Sequence, residues 1–182
     1  HQLRLGHNIT YAWQTPLPSQ SNRQSFLPGG ANYGRYAKGG VAVVISKSEQ
    51  KVAFIDLKPL FTYVNSVYFG GDQATFNSRM ASLGQADNQW PYTFTQQPSQ
   101  VPTVVKTVSL AQRPTAVKTS VYDGASRAWV ATQDGTLHIY SLDGYANGAS
   151  PPAPAANALT EVGSVTGIGR NPTSIALSKG AP

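Results

Sequence analysis

Three histidines, His1, His7 and His138, and no cysteine offer metal or nucleophilic chemistry in this 182-residue chain. A free amine at His1, together with its imidazole, would chelate copper through nitrogen, with His7 folding back as a second ligand. His138 falls inside an alternating apolar stretch, Thr136 to Leu142, where a histidine is a packed or surface strand residue. Without cysteine there is neither a disulfide framework nor a thiolate metal site. The carboxylates are dispersed: Asp123, Asp134 and Asp143 each precede a glycine, where aspartate hydrogen-bonds the nearby backbone. The alternating acidic ligands of a calcium loop are absent, and neither Gly39-Gly40 nor Gly70-Gly71 is followed by the residues of a phosphate loop. Asn8-Ile9-Thr10 has the form of a glycosylation sequon. These residue types and spacings point to no catalytic group, no metal site and no cofactor.

Recognition chemistry is better supplied. Eight of the eighteen aromatic residues, among them Phe61, Tyr63, Phe76 and Phe94, lie between Phe61 and Gln100. Within that stretch Asp72 caps a helix over 73–83 that sets Phe76, Met80 and Leu83 on one face, with Gly84 ending it. Aromatic side chains must be buried somewhere, either as a satellite core or against another protein. Trp90, Tyr92, Tyr68 and Phe69 are the candidates for a partner surface, with Phe76 and Met80 turned inward. The formal charge of +6 is concentrated at the start: Arg4, Arg23, Arg35, Lys38 and Lys47 meet no acidic residue before Glu49. Such an arm could bind an acidic partner, nucleic acid or glycan, but its charges are too sparse for a polybasic tract. It reads as a solubilised wrapping segment, with no nucleic acid expected as partner.

The elements that must position these residues are repeats. Val43 to Leu57 lies without a gap over Ala128 to Leu142, 85 positions later, as the same β-hairpin written twice. The second copy turns on Asp134-Gly135, a pair suited to positive φ. A further echo, Gln112-Arg113-Pro114-Thr115-Ala116-Val117 against Arg170-Asn171-Pro172-Thr173-Ser174-Ile175, follows an alternating apolar segment in both places. One full unit therefore has four strands, over 115–121, 128–132, 136–142 and 161–165. Repeated strand pairs that cannot bury their own faces imply stacked sheets, and four antiparallel strands per repeat imply β-propeller blades.

The Pro-Thr-Ser-Ile-Ala-Leu-Ser run at 172–178 and the strand Lys51 to Leu57 resemble the blades of bacterial YVTN-type propellers, which are similar in fold to the propeller subunit of quinoprotein amine dehydrogenases. That resemblance implies an all-β incomplete ring of about two blades with one short helical insertion. It divides the chain into an irregular basic arm over 1–40 and a first unit over 41–110, with the aromatic insertion at 61–100. A second unit follows over 111–168 with an Ala/Pro-rich loop at 145–158, and then the first strand of a third over 169–182. A ring needs at least four blades, so the chain is expected to be part of a longer polypeptide or to take blades from partner chains. The low charged fraction of 12% fits an exported bacterial protein, periplasmic or extracellular. No run approaches the ~18 apolar residues of a membrane-spanning helix. The expected role is a non-catalytic binding or structural module for protein partners. The alternatives are a subunit of a quinoprotein- or lactonase-like enzyme, or of a surface layer or filament.

Overall fold

The computed structural model describes residues 19–36, 38–82, 101–122, 125–145 and 157–178. Seven strands, β1 (Val41–Ser46), β2 (Lys51–Asp56), β3 (Thr103–Ser109), β4 (Pro114–Tyr122), β5 (Ala125–Thr132), β6 (Leu137–Ser141) and β7 (Glu161–Val165), make most of the regular structure. They form two antiparallel sheets with neighbours in chain order, a three-stranded sheet β1-β2-β3 and a four-stranded sheet β4-β5-β6-β7. Runs such as Val-Ala-Val-Val-Ile in β1 favour the pleated backbone because β-branched side chains are stiff and pack well on it. The chain is mainly β, and the described residues form no closed ring.

Which face each sheet turns to the other follows from the hydrogen bonds. In an antiparallel pair, opposed residues alternate between exchanging both backbone bonds and exchanging none. The Leu57 amide donates to the Gly40 carbonyl at 2.9 Å, so in the same register the bonded pairs are Ala42–Ile55, Val44–Ala53 and Ser46–Lys51. Val43, Ile45, Val52 and Phe54 occupy the non-bonded pairs, and it is these that pack on the second sheet. There the Leu142 amide donates to the Ser126 carbonyl at 2.8 Å and the Thr132 amide to the Thr136 carbonyl at 2.9 Å. The bonded pairs are then Ala128–Tyr140 and Val130–His138, and Ala128, Val130 and Tyr140 are the residues that face the first sheet.

The two sheets thus meet with non-equivalent faces. Matched by bonding pattern, Ala42, Val44, Ala53 and Ile55 correspond to Ala128, Val130, His138 and Tyr140. Val43, Ile45, Val52 and Phe54 correspond to Trp129, Ala131, Leu137 and Ile139. The ladder irregularities fall at matched positions, between Phe54 and Ile55 in one sheet and between Ile139 and Tyr140 in the other. The repeat is real, but it is not gapless. Pairing Ser46 with Lys51 leaves four turn residues, Lys47 to Gln50, whereas the Thr132–Thr136 pair leaves three. His138 does stand in the slot of Ala53, while β5 is displaced by one residue from the gapless match. A one-residue slip exchanges the two faces of a strand. Gln50 (φ 54°) and Gly135 (φ 88°) end their turns in the same left-handed conformation, and each carbonyl accepts an amide from just beyond the last strand of its sheet, Leu110 or Ile168.

The core lies between the sheets, where Val52, Phe54, Ala128, Val130, Tyr140 and Leu142 are buried. The Phe54 and Tyr140 rings meet edge to face with centroids 5.5 Å apart. Each large apolar side chain buried here contributes about 1.5–3 kcal/mol.

Three expectations need correction. The insertion holds two helices where one was expected, α2 (Lys58–Phe69) and α3 (Gln73–Ser82). The missed one, α2, carries Pro59 in its first turn, where the lack of an N–H is tolerated. The arm is not wholly irregular, since Gln20–Gln24 forms a short helix, α1, and Tyr33–Arg35 a single 3₁₀ turn. Residues 172–178 join no ladder, because no described strand is placed to pair with them. Residues 1–18, with His1, His7 and the sequon, lie outside the described residues.

Candidate functional site

The helices and the arm build one aromatic and cationic layer. Asp56 accepts the Lys58 amide at 2.9 Å at the start of α2. Gly70 ends that helix, its amide donating to the Ser66 carbonyl so closely that a Cβ at Gly70 would sit 2.5 Å from that oxygen. Asp72 then caps α3 through the Thr75 amide at 2.7 Å. The backbone bond from Thr75 holds the Asp72 carboxyl below its usual range.

These two caps bring Phe69 and Phe76 against the arm. Phe69 stacks on Phe26 with centroids 4.8 Å apart and planes 11° apart, and Tyr36 leans on Phe69 at 4.8 Å. Tyr33 meets Tyr36 edge to face at 6.1 Å. Arg23, 1% exposed, lies 4.0 Å over the Phe76 ring and donates to Gln73 Oε1 at 3.4 Å. Lys38 Nζ stands 3.9 Å and 4.1 Å above the Tyr33 and Tyr36 rings and donates to the carbonyls of both residues. Contacts of a cation with a ring face strengthen as water is excluded. Burial lowers the Lys38 ammonium's pKa, and burial followed by the neighbouring Tyr33 pushes Tyr36 up to about 12. Tyr36 is therefore a neutral phenol at physiological pH.

Of the four residues expected on a partner surface, Phe69 is buried inside this layer. Tyr68 is half-buried, with its phenol raised by the same burial. Trp90 and Tyr92 lie outside the described residues, as does Leu83. Phe76 is buried. The sequence reading missed Arg23 and Lys38 as partners of this layer. The signal was present in the run from Tyr33 to Lys38, which gathers two rings, Tyr33 and Tyr36, and two cations, Arg35 and Lys38, within six residues.

Elsewhere the polar groups brace the strands and turns of the second sheet. Asp143 accepts the Ser126 amide at 2.9 Å, Arg127 Nη1 at 2.8 Å and the Ser141 hydroxyl at 2.8 Å, and the Ser126 bond is the main reason its pKa is lowered. Asp134 accepts the Thr132 hydroxyl at 2.6 Å and the Thr136 hydroxyl at 2.9 Å, the first being the chief cause of its lowered pKa. Both act as turn braces, and Asp123 lies outside the described residues. His138 Nδ1 is 3.0 Å from Glu161 Oε1 across the β6–β7 pair. No group of three or more metal-ligating side chains occurs among the described residues. No described helix is long and apolar enough to cross a membrane.

The outward sheet faces carry a different chemistry. On the second sheet the face turned away from the core presents half-buried Trp129, Leu137 and Ile139, with Val165 47% exposed beside them. On the first sheet the outward face presents half-buried Ala42, Val44, Ala53 and Ile55, with Val104 60% exposed. Such an arrangement can bury further apolar surface. No protein-family model, curated protein or solved structure matches the chain.

Proposed function

We propose that this chain is a non-catalytic binding or structural module of the β-propeller type, its two sheets being successive blades of a larger exported assembly that engages protein partners. One observation carries the reading: the face each sheet leaves uncovered is the counterpart of the face the other sheet buries. Half-buried Trp129, Leu137 and Ile139 on that face repeat Val43, Val52 and Phe54, while Ala131, the counterpart of Ile45, is itself buried. In a finished two-sheet sandwich, outward positions alternate as polar residues; apolar residues on both faces of a sheet are the mark of a sheet covered on both sides. The resemblance to YVTN-type blades points the same way. The aromatic layer of α1 to α3, held rigid by its own stacking, then serves as a platform at the end of the first sheet, with loops on a fixed scaffold doing the recognising.

Ile139→Asp tests the reading. Where further sheets cover that face, the buried carboxylate costs about 3 kcal/mol or more in thermal or denaturant unfolding. Under assembling conditions a change that stays within about 0.5 kcal/mol marks a face that remains free, and that outcome overturns the blade reading.

A further inference from the structure

The uncovered edge of the first sheet and the unpaired stretch after the second are complementary in position, in register and in face. The second sheet has a strand, β4, on the β5 side, whereas the counterpart of β5, β1, has no described neighbour on that edge. The missing element is therefore the counterpart of β4. Its counterpart in sequence is Pro172–Ser178, which stands to the second sheet as Pro114–Ser120 stands to the first. Both follow a residue, Leu110 or Ile168, whose amide is bound by the preceding hairpin turn. In an extended backbone Ile175 and Leu177 fall on one face of this stretch, yet Thr173 to Leu177 form no ladder, and Leu177 is 38% exposed.

We propose that copies of this chain join head to tail, the Pro172–Ser178 strand of one copy pairing with β1 of the next while the outward face of its second sheet packs on the outward face of the next copy's first sheet. The proposal rests on the blade reading above and names the partner of its open faces. Within one chain, β4 pairs with β5 so that Val117 opposes Val130 and Thr119 opposes Ala128. Carried over by the repeat, Ile175 opposes Val44 and Leu177 opposes Ala42 of the next copy. The face contact then brings Trp129, Leu137, Ile139 and Val165 of one copy against Ala42, Val44, Ala53 and Ile55 of the other, the same classes of residue that meet in the existing core. One chain cannot make this contact with itself, because its two outward faces lie on opposite sides of the two-sheet stack. The contact is heterologous, so it closes into a ring or runs on as a filament according to the rotation per copy. Unpaired strand edges of this kind are templates for such pairing.

Two variants test it. The chain has no cysteine, so Val44→Cys with Ile175→Cys introduces a single pair, at positions that do not exchange backbone bonds and are close enough for a disulfide. Mild oxidation is expected to give covalent dimers and higher multiples of the 19.3 kDa chain on denaturing gels, with Val44→Cys and Ser174→Cys giving several-fold less. Ala176→Pro removes an amide that the pairing would use, at a position in no ladder of the single chain. It is expected to shift native light scattering from multiples of 19.3 kDa to the single-chain mass without changing the circular dichroism. A wild-type protein that stays at the single-chain mass at its highest soluble concentration overturns the proposal, as does a disulfide formed within one chain. If Ile139→Asp is strongly destabilising and no inter-chain disulfide forms, the blade reading stands and this partner is wrong. If Ile139→Asp is neutral in the assembled protein, the blade reading itself has failed.

Discussion

The two hairpins of this protein share a sequence pattern, and yet one buries its non-bonded pairs and the other its bonded pairs. Val43 and Phe54 look inward from the first sheet, while their counterparts Trp129 and Ile139 look outward from the second. Side-chain identity did not decide this, since the matched positions are apolar on both sides. Burial here is a property of where a sheet sits in the stack. Half-buried apolar residues stand on the outward faces as well, Trp129, Leu137 and Ile139 on one sheet and Val44 and Ile55 on the other.

The sharpest way to break the comparison is to truncate matched residues. Phe54→Ala removes a fully buried ring from between the sheets and is expected to cost about 3–5 kcal/mol in denaturant unfolding. Ile139→Ala at the matched position is expected to cost comparably, about 2–5 kcal/mol, only under assembling conditions, and much less when the chain is kept single. Equal costs in the single chain would mean that the second sheet's outward face is already covered within the chain.

The turns offer a second contrast. A Cβ at Gly135 would stand 2.6 Å from the Gly169 carbonyl oxygen in a backbone with φ 88°, so Gly135→Ala is expected to lower stability by about 2–3 kcal/mol. Gln50 holds the matched conformation at φ 54° with a side chain present. Gln50→Gly is expected to raise stability by about 0.5–1 kcal/mol, the strain relieved being partly offset by the greater freedom of glycine when unfolded. Melting temperatures of the pair, moving in opposite directions, would sharpen the equivalence; shifts of one sign would break it.

The smallest effect concerns Asp143, whose counterpart in the first sheet is Lys58 and not an acid. Its carboxyl pKa is lowered on folding, so its contribution is present above the unfolded value near ~4 and is lost as pH falls through the folded value. Asp143→Asn is expected to cost about 1 kcal/mol at neutral pH and to flatten the decline of stability with acid. An unchanged pH slope would show that Asp143 does not brace the second sheet.

Much of the scaffold was legible in the chain itself. Alternating apolar residues, Asp134-Gly135 and the proline-threonine echoes placed the strands of the second sheet within three residues at each end, because strand periodicity and turn chemistry are local. α2 escaped notice because Leu57, Phe61 and Tyr68, although at helical spacing, sit in a stretch so rich in aromatics that it also reads as a packing patch. Phe69 was placed on a surface because sequence shows that an aromatic must be buried and not against what. The answer was Phe26, more than forty residues earlier.

The order of residues determined that this protein would make short antiparallel sheets and that they would recur. Tertiary structure decided which face meets which, since β1 and β2 both turn toward the second sheet the faces whose counterparts in β5 and β6 look outward. It also decided that Arg23 and Lys38 lie over aromatic rings, because contacts distant along the chain form only after the helices have docked.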